Sequence, residues 1–262
     1  MPYADSNGVK IHYHVEGDGP ALVLQHGFSG SLHGWRESGY VEPLKRDYRL
    51  ILTDTRGHGR SGKPREPKDY HMSLKVADVV AVLDDLGIGK AHYMGYSLGG
   101  RTGFGVAKHA PERFHSIVIG GMHPYGNKMS GLGVESRIEL LNKGMEAYVA
   151  DIEAQNGPMA PERRQRMLDS DAEALIASSI ELRDFTGIEE VLPTMTMPCL
   201  LYVGEADGLF EGARECVKHM PNVTFASFPG LDHGQTSRRS DLVLPHVQKF
   251  LRSVVQQAAA TG

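Results

Sequence analysis

The sequence predicts an α/β fold, with a mainly parallel central sheet flanked by helices and interrupted by a helical insertion. Three observations carry that expectation. Short apolar runs of strand length alternate with segments of helical period. One run, residues 91–94, passes through Gly95-Tyr96-Ser97-Leu98-Gly99 straight into a helix-like stretch, Leu98–His109, giving strand, sharp turn and helix. From Pro124 to Leu192 the strand rhythm stops and only helical patterns remain, after which it resumes. The expected division is a core of residues 1–123 and 193–262 with an insertion of residues 124–192.

Taken in order, residues 9–15 alternate apolar and polar positions (Val9, Ile11, Tyr13, Val15) up to Gly17-Asp18-Gly19-Pro20, a half-buried strand ending in a turn. Residues 21–24 are wholly apolar, as suits a central strand covered on both faces. His26-Gly27-Phe28 stands at that strand's C-terminal end, where ligand sites of open parallel sheets lie. Residues 40–46 give a short helix and 50–53 a further core strand, closed by the loop from Asp54 to Gly62. Residues 74–86 set Val76, Val79, Val80, Val82, Leu83 and Leu86 along one side of a crossover helix, with Ser73 as N-cap and Gly87 just past the end.

In the helix after Ser97, Gly99, Gly100, Gly103 and Gly105 each cost about 1 kcal/mol relative to alanine, which close packing of helix on sheet offsets. Pro111 ends that helix and residues 117–120 form the next strand. The insertion reads as helices at 138–141, 145–154, Pro161–Leu168 and 172–182. Residues 198–204 return to the sheet, 211–219 form a helix, Val223–Phe228 the last strand and 241–255 a closing amphipathic helix. Strands alternating with helices imply right-handed crossovers.

The 262 residues, 40% hydrophobic and 23% charged, can bury a large core. A net charge of -4 leaves no basic face, so neither nucleic acid nor an anionic membrane is an expected partner. Met1 to Pro20 holds no apolar stretch of signal-peptide length and no other run reaches membrane-spanning length. Cys199 and Cys216, one in a strand and one in a helix, read as reduced thiols, and a cytoplasmic location is expected. No G-x-x-x-x-G-K or strand-linked G-x-G-x-x-G pattern calls for a nucleotide. His12-x-His14 lacks the third ligand of a catalytic zinc, so these are expected to be exposed strand histidines; no metal and no cofactor are expected.

Gly95-Tyr96-Ser97-Leu98-Gly99 is a G-x-S-x-G pattern: a serine forced out above the sheet edge, between glycines that let strand and helix approach. Serine is too weak an acid to attack unaided. It needs a base, an acid to orient that base, and donors for an oxyanion. Downstream stand Asp207, in Gly204-Glu205-Ala206-Asp207, and His233, in Gly230-Leu231-Asp232-His233-Gly234. Glu205 and Asp232 are rival acids, though Asp232, adjoining His233, reads as a turn residue.

The order Ser97, Asp207, His233, together with a D-x-R-G-x-G-x-S stretch at residues 54–61, resembles the α/β-hydrolase superfamily over nearly the whole chain. The insertion resembles that family's variable cap. The resemblance implies Ser97 as nucleophile, His233 as general base and then acid, Asp207 as orienting acid, and the backbone N–H groups of Phe28 and Leu98 as oxyanion donors. His26 reads as a loop brace, Asp54 and Arg56 as satisfying each other or nearby backbone, and His58 as structural. Relatives that open epoxides or displace halide carry aspartate at the elbow, so the serine turns the expectation toward carbonyl chemistry.

Trp35, Tyr96, Met122, Tyr125 and Met145 are candidate pocket residues, and Phe28 either walls the pocket or fills core. Met129, Leu132 and Tyr148 add apolar surface in the cap. The expected activity is hydrolysis of small carboxylic esters or lactones through an acyl-enzyme on Ser97. The short Gly27-Phe28-Ser29-Gly30 loop is similar to that of small esterases and acyl-homoserine lactonases of the superfamily. Three alternatives stay open: an acyl-homoserine lactonase, a cofactor-free perhydrolase or haloperoxidase in which peroxide replaces water, and a ligand-binding protein without turnover.

Overall fold

A computed structural model describes residues 2–126 and 133–261; the cap candidates Met129 and Leu132 lie outside the described residues. Eight strands form one sheet: β1 (Tyr3–Ser6), β2 (Val9–Glu16), β3 (Ala21–Gln25), β4 (Arg49–Thr53), β5 (Ala91–Tyr96), β6 (Phe114–Gly120), β7 (Cys199–Gly204) and β8 (Val223–Phe228). Their order across the sheet is β1-β2-β4-β3-β5-β6-β7-β8. Only β1 with β2 and β2 with β4 run antiparallel; every other neighbour is parallel. β1 is a short edge strand that the sequence pattern did not separate from β2, because four residues with only Ala4 and Ser6 buried carry little periodic signal.

Helices cover both faces. On one side pack α3 (Met72–Asp85), α4 (Leu98–His109) and α9 (Phe210–Cys216), around a core that includes Val79, Phe104, Ile117 and Leu201. On the other lie α1 (His33–Glu37), α2 (Val41–Leu44) and α11 (Ser240–Thr261), around Leu24, Trp35, Leu52, Val118 and Leu251. The central strands are buried on both faces, which is why β3 and β7 read as apolar runs. Between β6 and β7 stand α5 (Val134–Asn142), α6 (Met145–Asn156), α7 (Pro161–Leu168) and α8 (Ala172–Asp184), which share a small core of Leu141, Val149, Met167 and Leu175.

Several boundaries differ from the sequence expectation. α3 starts at Met72, so Ser73 lies inside its first turn and no side chain caps it; Gly87 does follow the end, at φ 64°. The helix expected over 40–46 shrinks to Val41–Leu44. α9 stops at Cys216 and tightens into a 3-10 turn over Val217–His219. α11 runs on to Thr261 despite Pro245 near its start. His12 is buried and bonded to Asp54, so of the strand pair only His14 is exposed: β2 turns His12 inward beneath the loop after β4.

Of the two alternatives for Arg56 and Asp54, each other or backbone, the mutual pair does not form. Arg56 Nε and Nη2 form a forked pair with Asp78 of α3 at 2.7 and 2.6 Å, and its Nη1 donates to the Asp69 carbonyl. Asp54 is satisfied elsewhere. Breaking such a buried pair by removing one partner costs about 3–5 kcal/mol.

Glycine makes the β5–α4 crossing possible. A Cβ at Gly95 would overlap the Gly99 carbonyl, and one at Gly99 would overlap the Gln25 carbonyl of β3. Neither obstacle is a side chain that could swing away. Gly99→Ala is therefore expected to lower unfolding free energy by at least about 1–3 kcal/mol, read from urea denaturation. Gly89→Ala, with open space where its Cβ would stand, should change it by no more than about 0.5 kcal/mol; equal effects would contradict the close-approach argument.

Candidate active site

The chain visits β4 on one side of β3 and then β5 on the other, so the strand order reverses between β3 and β5. Loops leaving two such strands part from each other and open a crevice at their C-terminal ends. Phe28 follows β3 and Ser97 follows β5, which brings them to opposite walls of that crevice. Ser97 takes φ 56° and ψ -111°, a conformation rare for a residue with a side chain. The turn is held by Ser97 N–H donating to the Gly120 carbonyl at 2.8 Å, Arg101 N–H to the Ser97 carbonyl at 2.8 Å, and Gly99 N–H to the His26 carbonyl at 3.2 Å. The Ser97 hydroxyl does not cap α4.

That hydroxyl instead meets His233. His233 Nε2 lies 2.9 Å from Ser97 Oγ, and its Nδ1 lies 2.7 Å from Asp207 Oδ2. His233 opens α10 (His233–Arg238), a short helix after β8 whose start is fixed by a capping box between Asp232 and Gln235. Asp207 follows β7; its other oxygen accepts the Leu209 N–H at 3.0 Å, so the buried carboxylate is fully engaged. Of the rival acids, Asp232 caps α10 and Glu205 accepts the Ser227 hydroxyl at 2.8 Å. Tyr96 donates its hydroxyl to the His233 carbonyl at 2.5 Å and tilts its ring against the imidazole.

Phe28 and Leu98 both line the same crevice. Leu98 opens α4, so its N–H has no acceptor within the helix, and neither it nor the Phe28 N–H pairs with another described backbone group in the surrounding loops. The Phe28 loop carries a second strained serine, Ser29 at φ 55°. His26 braces this loop: its Nδ1 donates to the Gly27 carbonyl at 2.7 Å and its Nε2 accepts the Thr55 N–H at 3.2 Å, with burial pushing its pKa down. His58 packs edge-on against the Phe28 ring, its pKa pushed down to about 3 by burial.

Residues 20–199 match the sequence pattern described as the alpha/beta hydrolase fold. The chain belongs to the alpha/beta hydrolase family. It is 31% identical over 235 residues to a proposed carbamate hydrolase, RutD, of Pseudomonas syringae pv. syringae (strain B728a), covering 82% of this chain and 87% of that one. It is 28% identical over 275 residues to a proposed 2-succinyl-6-hydroxy-2,4-cyclohexadiene-1-carboxylate synthase of Bacillus subtilis (strain 168), covering 95% and 97%. The esterase RhEst1 from Rhodococcus sp. ECU1013 superposes with a TM-score of 0.83 at 25% identity over 97% of this chain and 98% of its own.

In this alpha/beta hydrolase the crevice widens into a cavity of about 1170 Å³ beneath α5–α8. Trp35, Tyr96, Met122 and Phe28 line it, as does Tyr148, whose hydroxyl reaches Ser29 Oγ at 3.3 Å. Tyr125 and Met145 do not. Tyr125 bridges to Gly187 and packs on His123 and the core below. Met145 sits one turn before Tyr148 and two before Ile152 on α6, outside the cavity lining, and packs into the helices' own core.

What sequence reasoning missed is charge: Arg101, Arg137, Arg163 and Arg238 all border the cavity. A signal for one of them was present. Arg101 is the only charged residue in the first ten positions of α4, all of them buried.

Asp54 ties the crevice together. Its oxygens accept from His12 Nδ1 at 2.8 Å, Leu32 N–H at 2.8 Å and Arg60 N–H at 3.0 Å. Burial alone would raise its pKa, but the hydrogen bond from His12, the nearby His26 and the two N–H donors outweigh it and hold the carboxyl at about 2, against 3.8 ordinarily. A depressed folded-state pKa gives stability that is present above pH 4 and lost as pH falls through 2, worth about 2 kcal/mol here. Asp54→Asn should remove that much of the slope of unfolding free energy between pH 4 and pH 2; an unchanged acid limb would mean that the carboxylate is not held this way.

Proposed function

We propose that this protein is a serine hydrolase that cleaves small carboxylic esters, open-chain or cyclic, through an acyl-enzyme on Ser97. The observation that carries the reading is the pair of hydrogen bonds placing His233 between Ser97 Oγ and Asp207 Oδ2. His233 Nε2 takes the hydroxyl proton as Ser97 Oγ bonds to the ester carbonyl carbon. The carbonyl oxygen, now an oxyanion, is received by the N–H groups of Phe28 and Leu98, donors already fixed by the loops that carry them. Collapse breaks the C–O bond and the leaving alkoxide takes the proton from His233. Water then repeats the sequence on the acyl-enzyme, giving its proton to Nε2, and the Ser97 ester is released as the free acid.

Asp207 accepts from Nδ1–H throughout, which fixes the tautomer that leaves Nε2 free as a base and steadies the imidazolium. With a lactone the leaving alcohol stays tethered, so deacylation must outrun reclosure. A carbamate carbonyl is a second reading, favoured by the identity to the proposed carbamate hydrolase; it uses the same attack and a different leaving group.

Ser97→Ala is expected to lower kcat on p-nitrophenyl esters by roughly 10⁴-fold or more, and Asp207→Asn by about 10⁴-fold. A fluorophosphonate probe should label the wild type at Ser97 only. A panel of esters, lactones and carbamates ranked by kcat/KM separates the substrate classes. Full ester cleavage by Ser97→Ala would sink the mechanism, and absence of both labelling and turnover would leave ligand binding as the use of the cavity.

A further inference from the structure

Among the described residues, one buried positive charge in the cavity has no counter-charge. Arg101 projects from α4 one turn beyond Ser97 and is 1% exposed. Its Nη2 reaches only the Met122 sulfur, at 3.5 Å, and its guanidinium lies over the Phe185 ring, 4.7 Å from the centroid. Its Nη1 is buried with no hydrogen-bond partner. Among the described residues no carboxylate stands within ion-pair reach of it, and residues 127–132 contain no Asp or Glu. Glu181 favours its charge from a distance, but that carboxylate is bonded to Lys75 Nζ at 3.0 Å.

Burial pulls the Arg101 pKa down to about 10, so it is still a cation at neutral pH. Opposing it further is a second cation, Arg137 of α5, whose guanidinium stacks on the Phe28 ring at 4.3 Å and which also lines the cavity. Each ion removed from water costs several kcal/mol unless it is paired. Two like charges brought together in a substrate cavity are an arrangement that an anionic ligand would complete.

We propose that Arg101 and Arg137 together receive a carboxylate on the acyl part of the substrate, so that the preferred substrates are half-esters or lactones of dicarboxylic acids. This rests on the serine hydrolase reading above. The position of the pair assigns the charge to the acyl side. Arg137 rests on Phe28 and Arg101 stands one helical turn behind Leu98, the two residues whose N–H groups receive the oxyanion, whereas His233, which serves the leaving group, comes from the loop after β8. The aromatic and thioether surfaces around the guanidiniums suit a planar, singly charged carboxylate, which each guanidinium can grip with two parallel N–H donors. α4 belongs to the sheet core and α5 to the insertion, so the site is complete only when both are in place.

The test compares kcat/KM for monomethyl adipate and methyl hexanoate, followed by pH-stat, in wild type, Arg101→Met and Arg137→Met. Taking the ratio within each protein cancels any general loss of activity. The wild type should prefer the carboxylated ester at least tenfold, and each variant should bring the ratio to within about threefold of unity. In a Ser97→Ala background, adipate but not adipamide should raise Tm, and Arg101→Met should abolish that shift. Without ligand, Arg101→Met should be no less stable than its parent, because an apolar side chain of similar length replaces an unpaired buried charge; a merely structural arginine would instead lower Tm. If Arg101→Met does not fold, Arg137→Met carries the same comparison from a partly exposed position. Preference for methyl hexanoate in the wild type, or a ratio unmoved in both variants, would overturn the proposal. If the wild type cleaves no ester, the hydrolase reading falls, and the adipate shift alone decides the carboxylate site.

Discussion

The approach of α4 to the C-terminal ends of β3 and β5 is the constraint on which the rest of the molecule depends. With Gly95 and Gly99 bare, the helix backbone comes so near the sheet that the residue between them must turn through φ 56°. Such a turn is unfavourable in isolation and persists because neighbours over-determine it. The Gly120 carbonyl of β6 takes the Ser97 N–H, and the His26 carbonyl, just past β3, takes the Gly99 N–H. His26 is in turn fixed to the loop after β4 through Thr55. Bonds thus run from β4 across β3 and β5 to β6, and the serine hydroxyl stands where four elements agree to put it.

Most of this was legible in the chain because it is local. G-x-S-x-G, the apolar runs of the buried strands and the order Ser97, Asp207, His233 each need only a few neighbouring residues or their succession. The failures share a cause: they concern where a side chain ends up after distant segments meet. Arg56 turned to Asp78, 22 positions along, rather than to Asp54; His12 went inward to an acid 42 positions away. Composition puts Tyr125 and Met145 in the pocket, whereas the fold packs one against the core and the other among the inserted helices. Short helices such as α1 and α10 lack the length for periodicity to show.

Two buried arginines illustrate how differently one side chain can be treated. Arg56 is enclosed by a forked carboxylate and two carbonyls, so its charge is balanced in the folded chain and fastens α3 to the loop after β4. Arg101, equally buried, is met by a sulfur and an aromatic face, neither of which neutralises it. The first is a stabilising contact complete in itself. The second leaves the native state under electrostatic tension that no described residue nearby relieves, the kind of cost proteins carry where binding has to draw on it.

Phe28, Ser97 and Asp207 follow β3, β5 and β7, and Leu98 and His233 open α4 and α10; none belongs to the four helices that roof the cavity. The consequence concerns descent. Substitutions, insertions or helix exchange within residues 134–184 can redraw the roof, and with it the set of molecules admitted, while Ser97, His233 and Asp207 keep their spacing. A lineage built this way can change what its cavity admits without disturbing the side chains at the strand ends, and one sheet can be shared by chains named for carbamates, cyclohexadienes and esters.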